Sequence, residues 1–186
     1  MNAQKCLEML REIKDCAFAT IAGAGAPQVR IIDVMLVEDR ALYFCTSRGK
    51  DFHSQLVREG RVAVTGLNRN WQMVRLTGTA HRLRERKAWI DRIFEANPSM
   101  NSVYPGESRY ILDPFCICEG ELEFFDLGKE PIYRESFALG AGHATPNGFV
   151  ISDACVSCGL CAERCPQECI SEGAPYTIAQ EHCLLC

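Results

Sequence analysis

The chain has 186 residues, room for one domain of ordinary size and a small appendage. Its 20 Lys and Arg against 24 Asp and Glu leave a net charge of −4, and the surplus acid sits at one end. From Phe149 onward Asp153, Glu163, Glu168, Glu172 and Glu181 face only Arg164, so residues 1–148 balance to zero. That distribution excludes the basic footprint of a nucleic-acid binder.

Taken in chain order, MNAQKCLEMLREIKD predicts an amphipathic helix over 3–14, capped by Asn2, with Leu7, Leu10 and Ile13 on one face. Its polar residues make it neither a signal peptide nor a membrane span, which fits a cytoplasmic protein. CAFATIA predicts a strand and GAGAPQ a turn. VRIIDVMLVE predicts one long strand, hairpinned through Asp39-Arg40 onto ALYFCTS. GKDFHSQLVREG predicts a short helix with Phe52, Leu56 and Val57 inward. RVAVTGLN and WQMVRLTGTAHRL follow as a strand pair, then ERKAWIDRIFEAN as a helix stopped by Pro98 with Trp89, Ile93 and Phe94 inward. FCICEGELEFFDLG closes the pattern with one or two strands. Hairpins interrupted by helices predict a mainly β fold with helices (α+β), an antiparallel barrel in place of a doubly wound sheet. Cys6, Cys16, Cys45, Cys116 and Cys118 lie among apolar neighbours and read as small core residues.

The strand order, with Arg30 in VRIID, the run YFCTSRGK and the later WQMVRLTG, resembles the pyridoxamine 5′-phosphate oxidase-like FMN-binding split barrel, in its nitroimidazole-reductase-like branch. The resemblance covers about residues 1–139 and implies a homodimer with FMN in two equivalent interface sites. It implies that Arg30, Thr46, Ser47 and Lys50 grip the FMN phosphate. It also implies that Ile31, Ile32 and Cys45 lend backbone contacts to the isoalloxazine edge. Gln72 and Arg75 lie on the strand that in relatives reaches the flavin, often from the other subunit, although the Gln–x–Arg pattern is offset by one residue. The residues themselves agree with a phosphate seat, because a strand ends and a helix begins at TSRGK and helix N–H groups favour an anion. Equally, Arg30 and Lys50 read as ordinary surface charges and TSRGK as a helix cap. Trp71 reads either as a ring that stacks on the flavin or as core or interface packing. The family's substrate-binding Arg and His near the chain end have no clear counterpart, so pyridoxamine phosphate oxidation itself is not expected.

A Gly/Ala/Thr/Pro/Asn stretch at 140–148 reads as a linker, with His143 solvated in it, and divides the chain into 1–139 and 149–186. Beyond it, CVSCGLCAERCP places Cys155, Cys158, Cys161 and Cys165-Pro166 in the C-x2-C-x2-C-x3-C-P run that holds iron–sulfur clusters. A structural zinc site on Cys155 and Cys158, joined by His182, is the alternative. HCLLC, with Cys183 and Cys186, opens a second run of the same kind. The tail thus resembles a two-cluster bacterial ferredoxin domain stopped midway through its second motif. The resemblance implies Cys155, Cys158 and Cys161 at one 4Fe–4S cluster, and Cys165, Cys183 and Cys186 at the other. Cys169 falls where such domains carry a small apolar residue and reads as a buried thiol, with a substitute ligand as the alternative. Seven thiols against the eight that two cubes need lead to the expectation of at most one fully ligated cluster in this chain.

Together these readings predict an FMN-dependent oxidoreductase that couples flavin chemistry to iron–sulfur electron transfer, acting on small oxidised molecules such as nitro-aromatics. The partners expected are a small-molecule or protein electron donor or acceptor and a second copy of the chain, with no nucleic acid and no membrane. A non-catalytic flavin and iron–sulfur carrier for a protein partner and a zinc-stabilised FMN-binding module are the alternatives.

Overall fold

A computed structural model describes residues 1–144 and 148–186; Thr145, Pro146 and Asn147 of the expected linker lie outside the described residues. The first helix, α1 (Ala3–Ile13), starts where the Asn2 side chain accepts the Lys5 N–H at 2.9 Å. It buries Cys6, Leu7 and Leu10, spaced to share one face. The strands β1 (Asp15–Ile21), β2 (Pro27–Asp33), β3 (Leu36–Glu38) and β4 (Ala41–Ser47) follow, and then helix α2 (Asp51–Glu59). Next come β5 (Arg61–Leu67), β6 (Gln72–Arg82), α3 (Arg86–Ala96), the single turn α4 (Met100–Val103), β7 (Leu112–Asp126) and β8 (Tyr133–Leu139). In the tail lie the turn α5 (Leu160–Glu163) and the short strands β9 (Ile170–Ser171) and β10 (Thr177–Ile178), which pair with each other.

The main sheet is antiparallel, in the order β2-β1-β5-β6-β7-β4-β3, with β8 added to β7. This curled half-barrel is the predicted class, but one expected strand is corrected. VRIIDVMLVE is two strands that part at Val34 and Met35: the Val34 N–H turns to Lys14 O at 2.8 Å and the Met35 N–H to Tyr43 O at 2.9 Å. β2 therefore pairs with β1, and only β3 pairs with β4. Arg30 is consequently at the opposite edge of the sheet from Thr46, not on the adjacent hairpin strand.

β7 holds the sheet together. Its first half pairs with β4, its second half with β8, and β6 runs along its other side with a register slip between Gly78 and Ala80. At that bend the backbones nearly touch. A Cβ on Gly120, whose φ is 148°, would lie 2.2 Å from Thr77 O, and one on Gly78 would lie 2.3 Å from Glu119 O. Only glycine permits that approach.

The core fills the curl. Phe18, Phe44 and Phe115 are fully buried, and Phe52 reaches down from α2 onto them. Ring centroids are 5.0 Å apart for Phe18–Phe44, 5.6 Å for Phe44–Phe115 and 5.8 Å for Phe44–Phe52. On the far side of β4, Ile90, Ile93 and Phe94 of α3 pack with Met35, Cys45 and Leu112. β4 is thus covered on both faces, which is why ALYFC reads as a continuous apolar run. Two inward assignments fail. Val57 is 54% exposed because α2 turns Phe52 and Leu56 to the core, and Cys118 is exposed on β7. Trp89 is half-buried and stacks on Tyr43 at 4.7 Å.

Replacing Gly120 with alanine should cost about 2–3 kcal/mol, since both flanking contacts are backbone and neither can move alone. The urea midpoint of the variant against the parent checks this; an unchanged midpoint would mean that the bend tolerates a side chain.

Candidate functional site

The expected phosphate seat lies where β4 hands over to α2. Thr46 is buried on β4, and its Oγ1 has no hydrogen-bond partner, a rare condition for a buried hydroxyl. Lys50 stands at the N-terminus of α2, and no side chain caps that terminus. Its ammonium is exposed and has no ion-pair partner among the described residues. An unsatisfied hydroxyl, an unpaired ammonium and uncapped helix N–H groups are together the donor set that a phosphate dianion satisfies. Ser47 is half-buried at the strand end. Cys45 faces the α3 layer, and burial pushes its thiol up to about 12, so it offers backbone only.

Arg30 reaches α2 from the other edge of the sheet. Its guanidinium lies 4.7 Å from the centroid of the Phe52 ring. It donates to Gln55 Oε1 at 3.0 Å, to Gln28 O and Oε1 at 3.2 Å each, to Thr20 Oγ1 and, at 3.4 Å, to Phe18 O. Burial lowers its pKa from the ordinary value. The helix between the two edges therefore brings Arg30 and Lys50 to one end of the barrel, although the hydrogen bonds of Arg30 run to Thr20, Gln28 and Gln55 and not to Thr46 or Ser47.

Gln72 and Arg75 are not gathered there. Gln72 Nε2 donates to Asp126 Oδ2 at 3.0 Å, and Arg75 pairs with Glu123 at 3.3 Å over the Phe125 ring. The cross-strand register runs Ile31, Ala17, Thr65, Arg75, so Arg75 is three strands from Ile31, roughly 14 Å. These residues share the outer face of the sheet, where Val29 is 70% and Ile31 63% exposed among small neighbours such as Ala19 and Ala63. Ile32, on the other face of β2, packs against the core. Trp71 is 64% exposed at the β5–β6 turn with φ 61°, which rules out core packing.

In the tail, Gly159 adopts φ 79° and lets α5 start within the cysteine run. Backbone N–H groups of Tyr176 and Ser157 hold the Cys155 thiol below its ordinary pKa, and that of Cys169 does the same most strongly for Cys165. Cys165 and Cys169 Sγ lie 3.5 Å apart. Among the described residues from 148 onward, Cys169 and Cys183 alone are buried, while Val156 is 83% exposed and Leu160, Leu184 and Leu185 are also exposed. A segment whose interior is sulfur has no apolar core to hold it, the pattern of a domain that folds around a metal centre. Cys158, Cys161 and Cys186 are exposed, and no three donors among the described residues close on a single ion. His182 turns away from the thiols: its Nδ1 bonds Ile132 O at 2.7 Å and its ring meets Tyr133 edge-on.

β8, which the sequence pattern did not reveal, carries the junction. Arg134, buried in YRESFAL, pairs with Glu123 at 3.3 Å and donates to Cys183 O at 3.3 Å, and Gln167 Oε1 accepts the Ile132 N–H at 3.2 Å. An Arg-Glu pair in the middle of a short run reads as surface loop; the signal that could have exposed it is the alternation of Tyr133, Phe137 and Leu139 around it.

The curled antiparallel sheet, with its strand-to-helix turn of unpaired donors, defines a split barrel, with a cysteine-rich segment attached. Residues 3–104, more than half of the chain, match the family described as pyridoxamine 5′-phosphate oxidase, and the chain belongs to that family. Residues 149–171 match the 4Fe-4S binding domain. A solved NimC/NimA family protein from Clostridium acetobutylicum is similar in fold, with 24% identity, TM-score 0.63, and 74% of this chain and 92% of that one covered. So is a pyridoxamine 5′-phosphate oxidase-related, FMN-binding protein from Nostoc punctiforme, with 13% identity, TM-score 0.50, and 74% and 93% covered. The tail is 49% identical over 35 residues to a ferredoxin of Butyribacterium methylotrophicum, covering 19% of this chain. The chain spans 64% of the length of that curated relative. The chain thus joins a pyridoxamine 5′-phosphate oxidase-type barrel to a segment that matches the 4Fe-4S binding domain. Among the described residues no helix is long and apolar enough to cross a membrane.

In metal-free, reduced protein, alkylation at pH 8 should label Cys118, Cys158, Cys161 and Cys186 and spare Cys6, Cys16 and Cys116. Burial pushes the last three thiols up to about 12, which withholds the reactive thiolate below that pH. Peptide mass spectrometry reads the pattern, and early labelling of Cys6 or Cys16 would contradict the assigned burial.

Proposed function

We propose that the chain is an FMN-dependent oxidoreductase in which a split barrel holds the flavin and the tail holds 4Fe–4S chemistry, with small oxidised molecules such as nitro-aromatics as substrates. The observation that carries this reading is the junction between Arg134 and Cys183: a cysteine of the proposed cluster set is tied by its carbonyl to a strand of the barrel. Held in the barrel, FMN would supply two-electron chemistry, and a 4Fe–4S cluster held by the tail cysteines would pass single electrons.

In this reading Lys50, Thr46, Ser47 and the start of α2 hold the phosphate. Arg30 adds its charge from β2, and the backbone of Ile31, Ile32 and Cys45 borders the ring. Gln72 and Arg75 complete the site from a second copy of the chain, since within one chain they sit three strands away, Gln72 on the inner face of β6 beside Asp126 and Arg75 on the apolar outer face. That face, with Val29 and Ile31 exposed, is the proposed dimer interface. Residues 1–139 form the flavin domain and 149–186 the cluster domain, with the junction on β8 fixing their separation. Cys155, Cys158 and Cys161 serve one cluster, and Cys165, Cys183 and Cys186 serve the other. A carrier without a substrate of its own is the second reading, favoured by the acidic tail, which suits a basic protein partner.

Protein purified without oxygen should be a yellow-brown dimer with FMN, iron and acid-labile sulfide, and should reduce a nitro-aromatic compound. Replacing Cys155, Cys158 or Cys161 with serine should lower the iron while leaving FMN bound. Zinc without iron would defeat the relay. Reduction of protein acceptors without turnover of any nitro compound would select the carrier.

Lys50→Ala should weaken FMN by about 10- to 100-fold through loss of a charge-assisted bond, and leave riboflavin binding unchanged. Thr46→Val should stabilise flavin-free protein by about 1 kcal/mol by removing an unsatisfied buried hydroxyl, yet weaken FMN. Fluorescence titration and urea midpoints measure both. If riboflavin and FMN bind the parent equally, no phosphate seat exists here.

A further inference from the structure

The tail docks on the barrel at the beginning of β8, an edge strand that among the described residues pairs only with β7. Gln167 Oε1 accepts the Ile132 N–H at 3.2 Å, His182 Nδ1 donates to Ile132 O at 2.7 Å, and Arg134 Nη1 donates to Cys183 O at 3.3 Å. β7 turns Leu122 and Phe124 into the core, so the alternate residues Glu123 and Phe125 stand on the outer face of the sheet. Buried Arg134 pairs with Glu123 at 3.3 Å and lies 5.6 Å from the centroid of the Phe125 ring. Arg75 meets the same carboxylate at 3.3 Å and the same ring at 5.0 Å. A cysteine of the tail is thus anchored on the outer face, beside Arg75.

The flavin seat of the same chain is remote from that anchor. Arg30 and Ile31 lie on β2, at the far end of the path β2-β1-β5-β6-β7-β8, five strand spacings or roughly 24 Å along the sheet. Thr46 pairs with Asp113, and Glu123 stands ten residues further along β7, roughly 33 Å of strand. The seat that a second copy would bring is near. Arg75 belongs to the outer face that carries the exposed Val29 and Ile31, the face assigned above to the dimer. In a twofold dimer each copy lends the same patch to the other, so the Arg75 that completes one seat comes from the chain whose tail is anchored next to it. A relay works where the protein sets its two redox groups close together, and here they are close only across the interface.

We propose that each tail serves the flavin seat of the partner subunit and not that of its own chain, with Arg134 as the positioning residue that docks it there. This rests on the reading in which Arg75 completes the seat of a second copy. Full exchange with one FMN moves two electrons, one at a time through the tail, and two protons are taken from or returned to solvent. The outer side of the tail trades each electron with a one-electron protein carrier.

The test uses full-length, iron-loaded mixed dimers, made by co-expressing two differently tagged chains without oxygen and given one FMN per dimer. Lys50→Ala in one chain sends the flavin to the other, and serine at all six assigned cysteines leaves a tail without a cluster. Iron–sulfur clusters absorb where flavin emits, so the FMN fluorescence lifetime reports how near a cluster lies. When the cluster is on the Lys50→Ala chain and the flavin on its partner, the flavin should lose most of its fluorescence. When flavin and cluster are on the same chain, and the other chain lacks both, the lifetime should match that of a dimer with no cluster. Arg134→Met in the cluster-bearing chain of the first arrangement should restore the lifetime with iron and FMN contents unchanged. Gln167→Ala, which spares the buried ion pair, should restore it in part. The reverse pattern, equal lifetimes in the two arrangements, or quenching that survives Arg134→Met overturns the proposal alone. Parent protein that stays monomeric, or takes up no FMN or no iron, overturns it together with the reading on which it rests.

Discussion

Phe52 is the contact on which the rest depends. Its ring closes the open end of the curled sheet against Phe18 and Phe44, and in doing so it fixes where α2 lies and how it is rotated. That one placement sets Lys50 and the free N–H groups at the end of β4. It lays the Arg30 guanidinium on the Phe52 ring from the far edge of the sheet, and it points His53 at Asp113. Burial of an aromatic side chain stabilises by roughly 1.5–3 kcal/mol, and losing it leaves a cavity as well. Arg30, Lys50 and the His53–Asp113 pair thus share one apolar hinge pin. The chemistry on both sides of α2 is positioned by hydrocarbon.

β7 plays the corresponding part along the other axis. Because its 15 residues pair with β4 at one end and β8 at the other, the strand that borders the helix layer also carries the strand that receives the tail. The glycine bend at Gly120 makes both pairings possible in one strand. Downstream of it, Glu123 takes Arg75 on one oxygen and Arg134 on the other, and Arg134 continues to the Cys183 carbonyl. A residue of the outer sheet face and a cysteine of the tail are therefore joined through two ion pairs and one hydrogen bond. The half-buried Glu123 carboxylate thus compensates the charge of the buried Arg134 and of the exposed Arg75 at once.

The tail obeys a different rule from the barrel. The barrel excludes water with phenylalanine, leucine and isoleucine. The tail has two buried residues, both cysteines, and leaves its valines and leucines outside. Such a segment gains its order from coordination and from the few bonds it makes to Ile132 and Arg134, not from hydrophobic burial.

Much of this was legible in the sequence, because the relevant signals are local. The amphipathic face of α1, the apolar run of β4, the turn at TSRGK and the spacing from Cys155 to Cys165 each declare themselves within a dozen residues. The antiparallel barrel followed from their order. What the sequence could not decide was pairing at a distance. VRIIDVMLVE has unbroken strand character, yet its halves join opposite edges of the sheet, since at the break Val34 turns to Lys14 at the end of α1 while Met35 stays with Tyr43 in the β3–β4 hairpin. YRESFAL looks like surface because its arginine is charged, and only the tertiary structure supplies the Glu123 carboxylate that lets Arg134 be buried. A cavity lined by Arg48, Arg82, Arg84, Arg86 and Asp113 is likewise assembled from three separate segments. Composition and spacing determine which chemistry a chain is capable of; the long-range contacts, which alone can compensate a buried charge or bring distant arginines to one wall, decide where that chemistry is placed.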